Sequence, residues 1–255
     1  MSVRVERRGP VVIVTLDRPA VHNCIDPRSA EALEVAIRGF GEDPDAGALI
    51  VTGEGGRAFC SGADLRTAGE LFGEAVRTGR PPLRFSDLEP GKPTIAAVEG
   101  HCLAGGLELA LWCDLRIAGA GARFGVVNRR WGVPLVDGGT QRLPRVVGLG
   151  NALYLLETGA VVGAERAREM GLVQEVVGEG DALERAVELA EAIVAYPRPT
   201  LLADRDSALE ALGAERDEGL ARERERGLSA AADPAIGEGL ARWAAGERPP
   251  APEGR

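Results

Sequence analysis

The chain has 255 residues, 39 acidic and 30 basic side chains, a formal net charge of −9 and 45% apolar content. That length fits one large core, or a core with a helical appendage, better than several small domains. The acidic balance excludes general nucleic-acid binding, which needs a basic face against phosphate.

In chain order, the start MSVRVERRGP carries no apolar h-region. The most apolar later stretch is broken by Glu99, His101, Glu108, Asp114 and Arg116, so the expectation is a cytoplasmic protein with no membrane association. Val11 to Leu16 is β-branched and apolar and predicts a strand, Pro27 to Phe40 has helical spacing, and Ala48 to Val51 returns to strand. Cys24, Cys60, Cys102 and Cys113 lie among apolar or small residues without C-x-x-C spacing, which predicts reduced, mostly buried thiols. The segment GEGGRA, from Gly53 to Ala58, loosely fits the dinucleotide fingerprint G-x-G-x-x-A. Phe59 and Cys60 follow where a helix would have to open, so a nicotinamide cofactor is not expected.

Glu70 to Gly91 is rich in Gly, Pro and charge and reads as a mobile loop. Thr94 to Val98 predicts a buried strand, a helix follows through Trp112, and Leu115 to Ala118 is again strand-like. Repeated strand, turn and helix units indicate an α/β architecture. From Thr140 the signals are mainly helical, with a strand-like exception at Leu172 to Val177. Asp181 with Glu184 predicts the start of a helix reaching Tyr196, and Asp233 before Pro234 the start of the last one. Leu209 to Gly227 reads as a solvated helix laced with ion pairs, and the Pro-rich tail from Arg248 as frayed. No internal sequence repeat is visible.

Two glycine-containing turns carry the chemical signal: Phe59 to Leu65 (FCSGADL) and Leu103 to Asp114 (LAGGLELALWCD). Small residues let a ligand approach the main chain, and N–H groups near a helix start attract negative charge. Together the turns have the makings of an oxyanion hole. Glu108 falls in the first turn of a helix that is otherwise apolar on every side, and an unpaired acid buried there is costly, which favours a catalytic carboxylate over a partner for the helix dipole. Ser61 has no evident base, and His22 and His101 are the only histidines, so a serine hydrolase is not expected. Glu6, Glu99 and Asp114 lack a His or Cys arrangement suited to metal, and no metal site is expected. Asp114 reads as the end of its helix, and Arg129 and Arg130 beside Trp131 as surface or interface residues.

Four segments resemble the enoyl-CoA hydratase/isomerase (crotonase) superfamily. TLDRPAVHNCID is similar to its L-x-R-P-x-x-x-N entry, FCSGADL to F-x-x-G-A-D-[LI], GHCLAGGLELALWCD to G-x-x-x-G-G-G-x-E-L-A-x-x-C-D, and GGTQRLPRVVG to G-G-T-Q-R-L-x-R-x-x-G. The resemblance implies a crotonase-like spiral of β-β-α units over residues 1–195 and a helical trimerisation region over 196–255, assembled as a homotrimer or dimer of trimers. It implies hydration or isomerisation of an unsaturated acyl-CoA, with coenzyme A present as part of the substrate and no other cofactor. The N–H groups of Ala63 and Gly105 would hold the thioester oxygen. Ala20, Val21 and His22, with Ala63, Asp64, Leu65 and Arg66, match positions along the coenzyme A groove. Glu108 matches the first of the two glutamates used by hydratases.

The departures bear on the reaction. Ala104 stands where the family often has a third glycine, a change expected to be mild because Ala can still adopt ordinary turn geometry. Asn128 falls where the second glutamate would be, and an amide orients water without accepting its proton. Asp137 has two readings of equal weight: a turn-former or cap for the helix at Thr140, or the second acid/base group with Glu108, at a position resembling the aspartate of dienoyl-CoA isomerases and near that of aroyl-CoA dehalogenases. The alternatives to hydration or simple isomerisation are therefore a dienoyl-CoA isomerase, dehalogenase or thioester hydrolase using Asp137, or a catalytically silent acyl-CoA-binding homologue.

Overall fold

The computed structural model describes residues 2–211 and Ala245. The expected helix from Asp233, most of the Leu209 to Gly227 run and the Pro-rich tail lie outside the described residues. The described residues fall into two compact units, one ending at Ala190 and the other beginning at Glu191.

The first unit holds all the strands among the described residues, in two sheets. The larger runs β1 (Val3–Arg8), β2 (Val11–Leu16), β3 (Ala48–Gly53), β5 (Thr94–Val98), β7 (Leu115–Gly119) and β10 (Glu175–Val177) in that order. β1 pairs antiparallel with β2, and every later neighbour is parallel. Central strands buried on both faces need continuous apolar sequence, and VVIVTL in β2 and TIAAV in β5 are buried throughout. The smaller sheet is β4 (Ala58–Cys60), β6 (His101–Leu103), β8 (Arg123–Gly125) and β9 (Val161–Gly163).

One rule links the sheets. Each strand β3, β5 and β7 is followed by a short partner in the small sheet, β4, β6 and β8, and the chain then turns into a helix: α2 (Ala68–Thr78), α3 (Gly105–Trp112) or the 3-10 turn Val127–Trp131. The repeated β-β-α path is a repeat of structure that leaves no repeat in the sequence. The fold is therefore the expected mixed α/β spiral.

Local chemistry sets the helix ends. Asp26 caps α1 (Pro27–Glu42) by accepting from the Ser29 N–H at 2.8 Å, and Pro27 stands at the first helical position, where a missing N–H costs nothing. Asp114 and Thr94 bond reciprocally: the Thr94 N–H donates to the carboxylate at 2.9 Å and the Asp114 N–H to the Thr94 hydroxyl at 2.8 Å, so Asp114 closes α3 against the start of β5.

Two expectations are corrected. Glu70 to Gly91 is not simply a loop, because α2 occupies Ala68–Thr78 and ends on Gly79 at φ 71°, while Leu83 and Phe85 beyond it are anchored in the core. The predicted strand at Leu172 to Val177 shrinks to Glu175–Val177, since Leu172 and Gln174 instead bond into the Arg116 side chain and the backbone of β7. The helix predicted from Asp181 is α7 (Ala182–Val194), and the Ala182 N–H is satisfied from a distance, by the Glu99 carboxylate at 3.0 Å. The remaining segments of this unit are α4 (Gly139–Val147), α5 (Leu149–Thr158) and α6 (Ala164–Glu169). In the second unit α8 (Arg198–Ala211) buries none of its residues.

Candidate active site

The two glycine turns meet. Gly62, at φ 87°, carries the chain out of β4, and a β-bridge then joins Ala63 to Ile25. The Ile25 N–H donates to the Gly62 carbonyl and the Asp64 N–H to the Ile25 carbonyl, both at 2.8 Å, so the intervening Ala63 turns its own N–H away from this bridge. On the other turn Gly105 opens α3, and an N–H at that position has no partner in its own helix. A methyl group on Gly62 would stand 2.7 Å from the Gly105 nitrogen, and one on Gly105 would stand 3.7 Å from the Ala63 nitrogen. Both expected donors are thus brought to one place, and only the absence of side chains there lets the turns touch.

Between them, Ala104 does not adopt ordinary turn geometry. It sits at φ 53° and ψ −123°, a conformation an L side chain rarely takes, because the chain must turn abruptly from β6 into α3. The substitution relative to a glycine is therefore strained rather than mild.

Glu108 and Asp137 come together across 29 residues of sequence. Glu108 is 3% exposed, and its Oε1 accepts from the Asp137 N–H at 2.9 Å and the Gly139 N–H at 2.8 Å. It satisfies the first N–H of α4 from a neighbouring helix. Asp137, 2% exposed, does not cap α4; its Oδ1 accepts from the Leu83 N–H at 3.1 Å. Burial pushes the Glu108 carboxyl up to about 7, against the lowering effect of the Gly139 and Asp137 N–H groups and with the charge of Asp137 adding to the rise. Burial likewise raises Asp137 to about 7, with the Leu83 N–H opposing and the charge of Asp87 adding.

These groups line one cavity of about 220 Å³ with Ser61, Ala63, Leu65, Gly105 and Asn128. Its other walls are apolar, from Phe72 on α2 and Leu83 to Val127, Trp131 and Leu135. Asn128 is buried, and its Nδ2 donates to the Val133 carbonyl at 2.6 Å, which fixes the amide. Its Oδ1 is the one buried side-chain polar atom without a partner among the described residues.

Of the remaining predicted binding residues, Ala20, Val21, His22, Asp64 and Arg66 are not among those lining the cavity. Ala20 and Val21 belong to a 3-10 turn, Pro19–Val21, and the His22 carbonyl accepts from the Ser61 N–H at 3.1 Å. Asp64 is buried and engaged within the protein: Arg66 donates to both its oxygens and Arg18 to one, and these bonds, Arg66 first, hold its carboxyl well below the usual range. Leu65 is exposed at the rim. His22 and His101 meet edge to face with centroids 6.0 Å apart. Among the described residues no three His, Cys, Asp or Glu side chains are grouped to hold a metal ion, the cysteines are free, and no helix is long and apolar enough to cross a membrane. GEGGRA turns from β3 into β4, with no helix opening where a pyrophosphate would rest.

Sequence reasoning expected the Glu70–Gly91 stretch to shape the acyl pocket but did not single out Phe72 and Leu83 within it. Phe72 lies in the stretch that composition assigned to a loop, and the Leu83 contribution is a main-chain N–H with no sequence signature.

The enoyl-CoA hydratase/isomerase family model matches residues 6–245. The enoyl-CoA hydratase EchA19 of Mycobacterium tuberculosis is 41% identical over 75% of this chain and 74% of its own length. A short-chain-enoyl-CoA hydratase of Clostridium acetobutylicum is 36% identical, covering 76% of this chain and 75% of its own. The crystal structure of an enoyl-CoA hydratase from Mycobacterium tuberculosis superposes with a TM-score of 0.89 at 34% identity, covering 98% of each chain. With the β-β-α spiral, the paired glycine turns and the four motifs in order, these matches establish that the chain belongs to the enoyl-CoA hydratase/isomerase family of enzymes.

Proposed function

We propose that this enzyme moves protons on an unsaturated acyl-CoA thioester, with the Ala63 and Gly105 N–H groups as its oxyanion hole and Glu108 and Asp137 as proton carriers. The observation carrying this reading is that two buried carboxylates, each raised to about 7, line one apolar cavity beside those N–H groups. Near neutral pH such a pair holds one proton between its members, so a base and an acid are present together. One carboxylate takes a proton from Cα, the charge runs onto the thioester oxygen as the double bond migrates, and the other returns a proton at Cγ. Each hole donor contributes roughly 2.7–4 kcal/mol to such a step.

Double-bond isomerisation suits two carboxylates and a neutral Asn128 best, since no water needs a base. Hydration is the second reading, and the unpartnered Oδ1 of Asn128 favours it, because that atom is an acceptor fit to orient water. Incubation of dialysed enzyme with crotonyl-CoA, a 3-enoyl-CoA and a dienoyl-CoA separates the two by absorbance. Migration of the double bond without added cofactor is the expected result, and binding without turnover of any ester would reduce the protein to a silent homologue. The trimer or dimer of trimers belongs to the same proposal and is measured by sedimentation velocity.

A further inference from the structure

Arg142 lies one turn into α4. Its Nη1 donates to the Asp137 carbonyl at 3.3 Å and its Nη2 to the Ser86 carbonyl at 2.9 Å. Among the described residues it makes no salt bridge, so a half-buried guanidinium is held by two main-chain oxygens. The charges that face it are Glu108 from α3, Asp87 and Glu89 from the segment before β5, and Arg145 from its own helix. Asp137, whose carbonyl it holds, also feels its charge.

The consecutive glycines Gly138 and Gly139 fit this arrangement. A methyl on Gly138, which stands at φ 94°, would overlap the Arg142 guanidinium. A methyl on Gly139 would stand 2.8 Å from Glu108 Cγ and 3.0 Å from its Oε1. One glycine makes room for the cation and the next for the carboxylate, on a corner whose own N–H groups hold Glu108.

We propose that Arg142 is a positioning residue for the two-carboxylate site: it ties the Ser86 segment to the Asp137–Gly139 corner and places a positive charge beside Glu108 and Asp137. The Ser86 bond keeps the Leu83 N–H on Asp137, and the Asp137 bond keeps the corner's N–H groups on Glu108. The charge favours the ionised form of both acids. This rests on the reading of Glu108 and Asp137 as proton carriers.

The test compares R142Q, which removes the charge, with R142K, which keeps the charge and loses the fork. Infrared titration of the ligand-free protein, with E108Q and D137N assigning the carboxyl bands, needs no substrate. R142Q should move the Glu108 and Asp137 midpoints up by about half a pH unit, while R142K leaves them in place. On the esters, R142K should lose about tenfold in kcat with little change in KM and with unshifted pH limbs. Midpoints unmoved in folded R142Q overturn the electrostatic role. If R142Q fails to fold, R142K decides alone, and an unchanged kcat overturns the positioning role. A shifted titration in an enzyme that turns over no ester would sink the proton-transfer reading and leave only the placement of the Arg142 charge beside the two acids.

Discussion

Under the proposed function Glu108 would do two jobs with one carboxylate, since the Oε1 that would serve catalysis also receives the Asp137 and Gly139 N–H groups. An alanine there would strand two buried donors and confuse misfolding with lost chemistry, so glutamine, which keeps an acceptor oxygen, is the cleaner probe. E108Q is expected to fold and bind acyl-CoA while losing turnover by a factor of about 10²–10⁴, as stopped-flow and calorimetry would show. The same carboxyl makes stability depend on pH. The unfolded chain releases its proton near pH 4, whereas folded Glu108 and Asp137 keep theirs until about 7. The folded state therefore binds more protons across that window, and stability falls as pH rises from about 4 through about 7, by on the order of 1–3 kcal/mol for each group. Urea titrations at intervals across it should show the decline, with E108Q and D137N each flattening the slope. Ala104 offers a third test at this scale. Ala104→Gly relieves a φ of 53° and should stabilise the fold by about 1 kcal/mol in denaturant melts, less the added freedom of the unfolded chain.

Elements differ in how much of themselves they show in sequence. β2 and β5 were legible because burial on both faces demands unbroken apolar runs, and α3 because a single glutamate interrupts an otherwise apolar helix. The helix α2 was not, because its helically spaced apolar residues lie in a stretch whose glycines, prolines and charges read as loop, and only Leu71 of its eleven residues is buried. The three-residue strands β4, β6, β8 and β9 were equally silent, being set by pairing across the sheet and not by local preference. Within the site, the convergence of Ala63, Gly105 and Glu108 on one cavity could be anticipated from motif and chemistry. The cap reading of Asp137 was overturned only when its oxygen was found on the Leu83 N–H and Glu108 on the first N–H of α4. A cap predicted from its own sequence neighbourhood was supplied instead by a side chain from another helix, which spacing alone cannot reveal.

At the scale of the first unit, cohesion passes through Arg116. Its guanidinium, 3% exposed, donates to the carbonyls of Ala110, Cys113 and Asp114 at the end of α3 and to Leu172 ahead of β10, while its own N–H donates to Gln174. One cation thus joins the helix carrying Glu108 to the last strand of the large sheet. Arg116→Met should leave several buried carbonyls without donors and cost at least about 3 kcal/mol in equilibrium unfolding, with activity lost only in proportion to the unfolded fraction. None of this was readable from composition, because its partners are main-chain oxygens far apart in sequence.

Two of the three tryptophans give the protein a built-in optical reporter, the third, Trp243, lying outside the described residues. Trp112 is sealed in the core with its indole N–H on the Leu88 carbonyl at 2.9 Å, whereas Trp131 is 70% exposed and lines the cavity. A thioester settling into the cavity dries the second indole and leaves the first untouched, so intrinsic emission should shift to the blue on occupancy, and W131F should abolish the shift while binding measured by calorimetry persists. Loading of the cavity can then be followed in real time without a label, including by variants too slow to release a product.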